Sequence, residues 1–383
     1  MFASAASLLK MSTAALCAGM LTACGPNIPA TVKIGIAQPL SGPAAARGQD
    51  ILNGARLAVA ELNAAGFRIG GKPVQLELVA MDDKANKDEA KKVAQAMVDQ
   101  KVTAVIGHLS SDVTEATIPI YKSGNVPQLF TSSAESLTRL GEGNAFRLVA
   151  NDALQARAIA GFLAETQKAR KVAFIYEETA YGAPMAKDAT AAFTKRNTKV
   201  VLSVGVDKAV TDFADFVAKL KAAAPDALVA VVRDHQLLPL FAQMKAAGLS
   251  DLPVLVTSTG KTQKVVSGPA DVKTVFLTSS ALSPSEFTAG AAFLAKFRSA
   301  YKSEPVWAAH YAYDAVHVLA DVMRRADSVQ AAALREKLSS VDAIAPVTNT
   351  MRFGPDGEQR YGAISVYQKR AHQWEPMMRS DLW

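Results

Sequence analysis

KIGIAQPLSGPAAARGQDILNGARLAVAELNAAG, Lys33–Gly66, contains in one stretch the pattern that decides the fold. KIGIA is a short apolar run and reads as a strand. After a turn with Pro39, Gly42 and Pro43, apolar residues recur at Ile51, Ala55, Ala58, Val59 and Leu62. That spacing predicts a helix over Gly48–Ala65, which Gly66 closes as a C-terminal cap. The unit then repeats. VQLELVA (Val74–Ala80) is a strand ending in Met81-Asp82-Asp83, a helix through Ala90, Val93, Ala94, Met97 and Val98 leads to TAVIGH (Thr103–His108), and QLFTSS (Gln128–Ser133) follows the next helix. Strands separated by helices of about a dozen residues need crossover connections, hence a parallel sheet.

The pattern restarts after Asn151. A helix across Leu154, Ala158 and Phe162 leads to KVAFIYEE (Lys171–Glu178), and VVLSVGV, ALVAVV and PVLVTST follow, each after helical text. The last third is more helical, over Ser285–Lys302 and Ala308–Arg325, before the strand GAISVYQKR. No Pro/Gly-rich linker separates the two series. The expected fold is therefore α/β, with two doubly wound parallel-sheet lobes and a ligand cleft between them. The first lobe is expected from 31–149 plus about 280–350, and the second from 150–279 plus about 351–383. The chain crosses between them near Arg147–Asp152 and Thr278–Pro284. Ligands of such sheets bind outside the carboxyl ends of the strands.

With 383 residues, half of them apolar, the chain is long enough to bury two cores. A formal net charge of +7 favours anionic ligands, but no basic run interleaved with aromatics points to nucleic acid. Residues 1–23 carry one lysine, Lys10, an apolar stretch over Met11–Ala23 and no acid, which reads as a signal peptide rather than a membrane span. Leu21-Thr22-Ala23-Cys24 resembles the lipobox of bacterial lipoproteins. That resemblance implies lipid on Cys24, residues 24–30 as a spacer, and a location in the periplasm or cell envelope, tethered to a membrane surface through Cys24. Cys17 falls in the removed segment, which leaves no disulfide within one chain.

Most reactive chemistry is missing. His108, His235, His310, His317 and His372 show no metal-ligand spacing, and neither a GxSxG elbow nor a mature cysteine nucleophile exists. TSTGKT (Thr257–Thr262) looks like the end of a phosphate-binding loop, but the first glycine of that motif is Leu255. KIGIAQPLSG lacks the three-glycine spacing of a dinucleotide site. The expectation is a binding protein, not an enzyme, without metal or cofactor.

The strand ends offer hydroxyls and charges instead: Ser110-Ser111, Thr131-Ser132-Ser133, Glu177-Glu178 with Tyr181-Gly182, Arg233-Asp234, and Ser258-Thr259-Gly260-Lys261. A serine at a helix N-terminus either caps the helix or shares its free amides with an anion. Ser110 is expected to cap and Ser111 to donate to a ligand carboxylate. Charge-assisted bonds there contribute about 1.5–3 kcal/mol each before desolvation.

Together with VIGHLSSDVT, FTSSAESLT, FAQMKAAGL and AAHYAYDAV, these stretches resemble the periplasmic leucine/isoleucine/valine-binding family, the type I solute-binding proteins of ABC transporters. The resemblance implies a monomer that closes two lobes over a small carboxylate-bearing ligand, an amino acid, and delivers it to ABC permease subunits. It also implies that Ser111, Ser132 and Ser133 hold the ligand carboxylate and that Tyr181 joins from the second lobe. Three positions depart from the family: Thr259 stands where an acid pairs the ligand ammonium, and Arg47 and Arg233 replace aromatics. Asp234 or Glu178 is the expected substitute for that acid. If neither faces the cleft, a carboxylate without an amino group, aromatic or dicarboxylic, fits better, and a sensor role is the alternative to transport.

Overall fold

The structure, a computed structural model, describes residues 28–382. The leader over 1–23 and Cys24 lie outside the described residues. The first sheet takes β1 (Thr31–Gln38), β4 (Gln75–Asp82), β5 (Ala104–Gly107), β6 (Gln128–Phe130) and β7 (Ala145–Arg147), all parallel, in the order β4-β1-β5-β6-β7. A small hairpin, β2 (Arg68–Ile69) and β3 (Lys72–Pro73), precedes β4. The second sheet runs β8 (Lys171–Glu177), β9 (Lys199–Val206), β10 (Ala227–Val231), β11 (Val254–Val256) and β12 (Val275–Ser279), parallel in the order β9-β8-β10-β11-β12. After a separate hairpin, β13 (Ala343–Ala345) and β14 (Asn349–Met351), the antiparallel strands β15 (Ser365–Arg370) and β16 (Gln373–Arg379) extend this sheet beyond β12.

Both parallel sheets thus follow one order: second, first, third, fourth, fifth. Each has a single switch point, between its first and third strands, where crossovers leave to opposite sides and open a crevice at the carboxyl ends. In the first sheet it lies between β1 and β5, in the second between β8 and β10. The sequence explains which strands are central. AVIG of β5 is buried throughout because both faces are covered, whereas the edge strand β4 keeps every second or third residue open to solvent.

Helices α1 (Ala45–Ala64), α2 (Lys87–Asp99), α3 (Ser111–Ser123) and α4 (Ser136–Gly141) serve the first sheet. Helices α5 (Asp152–Gly161), α6 (Gly182–Thr194), α7 (Ala214–Ala223), α8 (Asp234–Ala246) and α9 (Gln263–Ser267) serve the second. The chain then returns with α10 (Gly290–Tyr301), α11 (Ala309–Ala326) and α12 (Ala331–Ser340), and its core with β1 and α1 runs from Val32 to Phe353. Helices α1 and α11 approach so closely at Gly54 that an added Cβ would lie 1.9 Å from the Ala309 carbonyl oxygen. One turn earlier, Asp50 accepts the amides of Val306, Trp307, Ala308 and Ala309 at 2.8–2.9 Å, satisfying the free donors at the start of α11.

Three passages join the lobes, over 148–151, 280–289 and 354–364. Arg147, fully buried, ties the first to the third through Glu358, with Nη2 at 3.1 Å from Oε1 and Nε at 3.1 Å from Oε2. The same guanidinium donates to the carbonyls of Ser132 and Ala134 and so fixes the loop after β6.

Sequence and structure differ at three elements. Helix α1 begins at Ala45, three residues before the expected Gly48. Strand β7, only Ala145–Arg147, is too short to carry a period. Strand β16 contains Pro376, which argues against a central strand but is tolerated here at the sheet edge.

Candidate ligand-binding site

The residues singled out in the sequence gather at the two switch points. On the first lobe, Arg47 follows β1 and Ser111 follows β5, with Ser132-Ser133 after the next strand. On the second, Tyr181 follows β8 and Arg233 follows β10, with Thr259 after the next strand. The lobes meet across this crevice: Asp112 accepts the Ala180 amide at 3.0 Å, and Arg47 Nη2 lies 3.2 Å from the carbonyl oxygens of Ser258, Thr259 and Lys261.

Individual roles shift within that frame. Ser110 occupies the N-cap position of α3 with extended backbone, but its side chain makes no capping bond, contrary to expectation. The first amides of α3 are left without a side-chain cap, a favourable place for a carboxylate. Ser111 Oγ accepts the Ala134 amide at 3.3 Å and so couples α3 to the second serine loop. The Ser132 hydroxyl lies 2.7 Å from that of Thr114, and the two share a hydrogen bond that ties the second serine loop to α3. Ser133 stays close to the crevice, where its hydroxyl acts on Asp152.

On the second lobe, Thr259 Oγ1 donates to the Val232 carbonyl at 2.9 Å. Arg233 Nε lies 3.5 Å from Glu177, whose burial pushes its carboxyl up while Arg233 pulls it back. Glu178 is exposed and packs over Gly205, where an added Cβ would meet its Oε1 at 2.6 Å, so it does not face the crevice. Asp234 remains near it and is the strongest charge supporting the Arg47 guanidinium, whose pKa burial lowers to about 10. Tyr181 Oη is buried without a hydrogen bond of ordinary geometry among the described residues, and burial, reinforced by the charge of Asp152, raises its pKa.

The sequence reading missed Asp152 itself. It is the first residue of α5, directly after the first passage between the lobes, 2% exposed, and both its carboxylate oxygens lack a well-formed hydrogen bond. Burial raises its pKa to about 7, against the pull of the Ser133 hydroxyl and the Arg147 charge. A carboxyl at a helix start ordinarily reads as a cap. Here Asn151 takes the cap, accepting the Leu154 amide at 3.0 Å, and Asp152 is left over. Two such residues in succession, of which one suffices, were the available signal. An unpaired buried carboxylate beside a hydroxyl and an uncapped helix end gives the crevice one site for a cation and one for an anion.

Among the described residues, no cluster of three or more His, Cys, Asp or Glu side chains is placed to hold a metal ion. His310 is packed among Phe287, Phe293 and Tyr311, and burial lowers its pKa to about 3.

The family described as periplasmic binding protein matches residues 31–372. An amino acid binding protein of Pseudomonas aeruginosa is 30% identical over 353 residues, 90% of this chain and 91% of that protein. The match to the Leu/Ile/Val-binding protein of Escherichia coli K12 is 29% identical and spans 57% of this chain and 59% of that protein, less than two thirds of its length. Among solved structures, the branched-chain amino acid transporter substrate binding protein of Streptococcus pneumoniae, in complex with isoleucine, superposes with a TM-score of 0.78 at 26% identity, covering 91% of this chain and 99% of that one. A solute binding protein of an R. palustris ABC transporter, in complex with benzoate, has the same fold, with a TM-score of 0.78 at 19% identity over 91% of this chain and 96% of that one. Family and relatives are solute-binding proteins and not enzymes.

Proposed function

The chain belongs to the periplasmic binding protein family, and from that premise we propose that it captures a branched-chain or related amino acid between its lobes and delivers it to the permease of an ABC transporter. The observation that carries this reading is Asp152. The ligand carboxylate sits on the free amides of α3 with the Ser111 and Ser133 groups, and its ammonium pairs with the otherwise unpaired Asp152. Tyr181 closes from the second lobe. Thr259 has lost the acid of the family, and Asp152, rather than Asp234 or Glu178, supplies the counter-charge. Pairing a buried carboxylate removes the cost of leaving it uncompensated, so ligand binding and lobe closure reinforce one another.

Arg47 and Arg233 support a second reading, an aromatic or dicarboxylic acid without an amino group. Isothermal titration with branched-chain amino acids and a panel of such acids separates the two. Heat from the amino acids alone supports the first reading, heat from the acids alone the second, and none from any carboxylate sinks both. Ligand-dependent stimulation of a cognate ATPase in proteoliposomes tests transport against sensing. The membrane tether at Cys24 belongs to the same proposal: labelling with a fatty-acid probe is expected in the full chain and lost in C24A.

A further inference from the structure

Arg47 begins on α1 of the first lobe and ends against the second. Its guanidinium lies 4.5 Å over the Trp307 ring, and its Nη2 reaches three carbonyl oxygens of the opposite lobe, those of Ser258, Thr259 and Lys261, each at 3.2 Å. Both ends of this bridge are fixed. Trp307 is 7% exposed and sits within the run of amides held by Asp50. The receiving turn is held by Thr259 Oγ1 on the Val232 carbonyl and by Lys261 Nζ on the Ala281 carbonyl at 2.9 Å. A planar cation stacked on an aromatic at one side and bonded to carbonyls at the other combines two favourable contacts, neither of which needs a ligand.

We propose that Arg47 is a strut across the cleft that selects ligands by size: it joins the lobes and fills the space beyond Tyr181, so that the bound amino acid must have a short side chain. The inference rests on the amino-acid reading above. Arg47 follows β1 at the switch point of the first lobe and Tyr181 follows β8 at that of the second, and the Arg47 guanidinium crosses from one lobe to the other, so the strut borders the crevice that Tyr181 enters. A side chain extending further would have to displace the guanidinium and leave three carbonyls and a cation without their partners. Alanine and valine leave the strut in place, whereas leucine strains it and phenylalanine breaks it.

The test compares wild type, R47A and R47K by calorimetry with alanine, valine, leucine and phenylalanine, and by small-angle scattering without ligand. In the wild type, alanine and valine are expected to bind more tightly than leucine, and leucine more tightly than phenylalanine. In R47A, the affinity for phenylalanine relative to alanine rises at least tenfold, and the ligand-free radius of gyration increases, with R47K in between. A wild type that holds phenylalanine as tightly as alanine, or a ratio unchanged in R47A, overturns the size selection. Identical scattering overturns the strut. If the wild type binds none of the four, the amino-acid reading falls, and scattering alone decides whether the strut exists. Should R47A not fold, as judged by circular dichroism, R47K carries both measurements.

Discussion

The role proposed for Asp152 ties fold to function in one residue. A carboxyl with a folded pKa of about 7 binds its proton more tightly than the unfolded chain, whose carboxylates titrate near pH 4. Its contribution to stability is therefore fully present below about pH 4 and is lost as pH rises through about 7. Relative to D152N, the ligand-free wild type is expected to lose stability progressively across that window, measured as midpoints of thermal unfolding. Ligand binding should behave in the opposite way. Because only the ionised carboxylate pairs an ammonium, amino-acid affinity should fall about tenfold for each pH unit below 7 in the wild type. In D152N, affinity should be weaker by about 2–4 kcal/mol at neutral pH and nearly flat with pH. Ser133→Ala, which removes a hydroxyl from the same corner, should cost about 1–3 kcal/mol of binding with little change in fold stability. Unchanged affinity would reduce Ser133 to a structural role.

Individual elements were legible in the sequence where burial imposed a period. The apolar face of α1 and the continuous apolar runs of β8 and β10 announced themselves, because a strand covered on both faces must be apolar throughout. The three-residue strands β6 and β11 were legible as well, as apolar runs after helical text, but two other elements were not. β7 has three residues, and β16 mixes Pro376 with exposed side chains because it needs to satisfy only one neighbour. The site was half legible for a related reason. Hydroxyls and arginines at strand ends stand out as residue types, but which of two adjacent groups faces the crevice depends on local bonding. Ser132 turned to Thr114, Ser110 left its helix uncapped, and Asn151 rather than Asp152 took the cap. At α1 the structure makes a prediction of its own. Gly54→Ala places a methyl 1.9 Å from a backbone oxygen that cannot move without α11, so it should destabilise the fold by about 1–3 kcal/mol or more, measured by urea unfolding.

For the molecule as a whole, two sheets whose parallel strands share one order meet at their switch points, and three passages join them. The Arg147–Glu358 pair locks two of these passages and carries the serine loop with it. Replacing Glu358 by Gln leaves a fully buried guanidinium without its counter-charge. A loss of about 3 kcal/mol in stability is expected, with weaker ligand binding because Ser133 and Asp152 lose their support. The central claim is that the cleft recognises both ends of an amino acid, the carboxylate at α3 and the ammonium at Asp152. Calorimetric titration of wild type and D152N with valine and with 3-methylbutanoate, the same molecule without its amino group, tests it most directly. Valine should bind the wild type at least a hundredfold more tightly than 3-methylbutanoate, and the gap should close in D152N. Equal affinities in the wild type, or a gap untouched by D152N, would contradict the account.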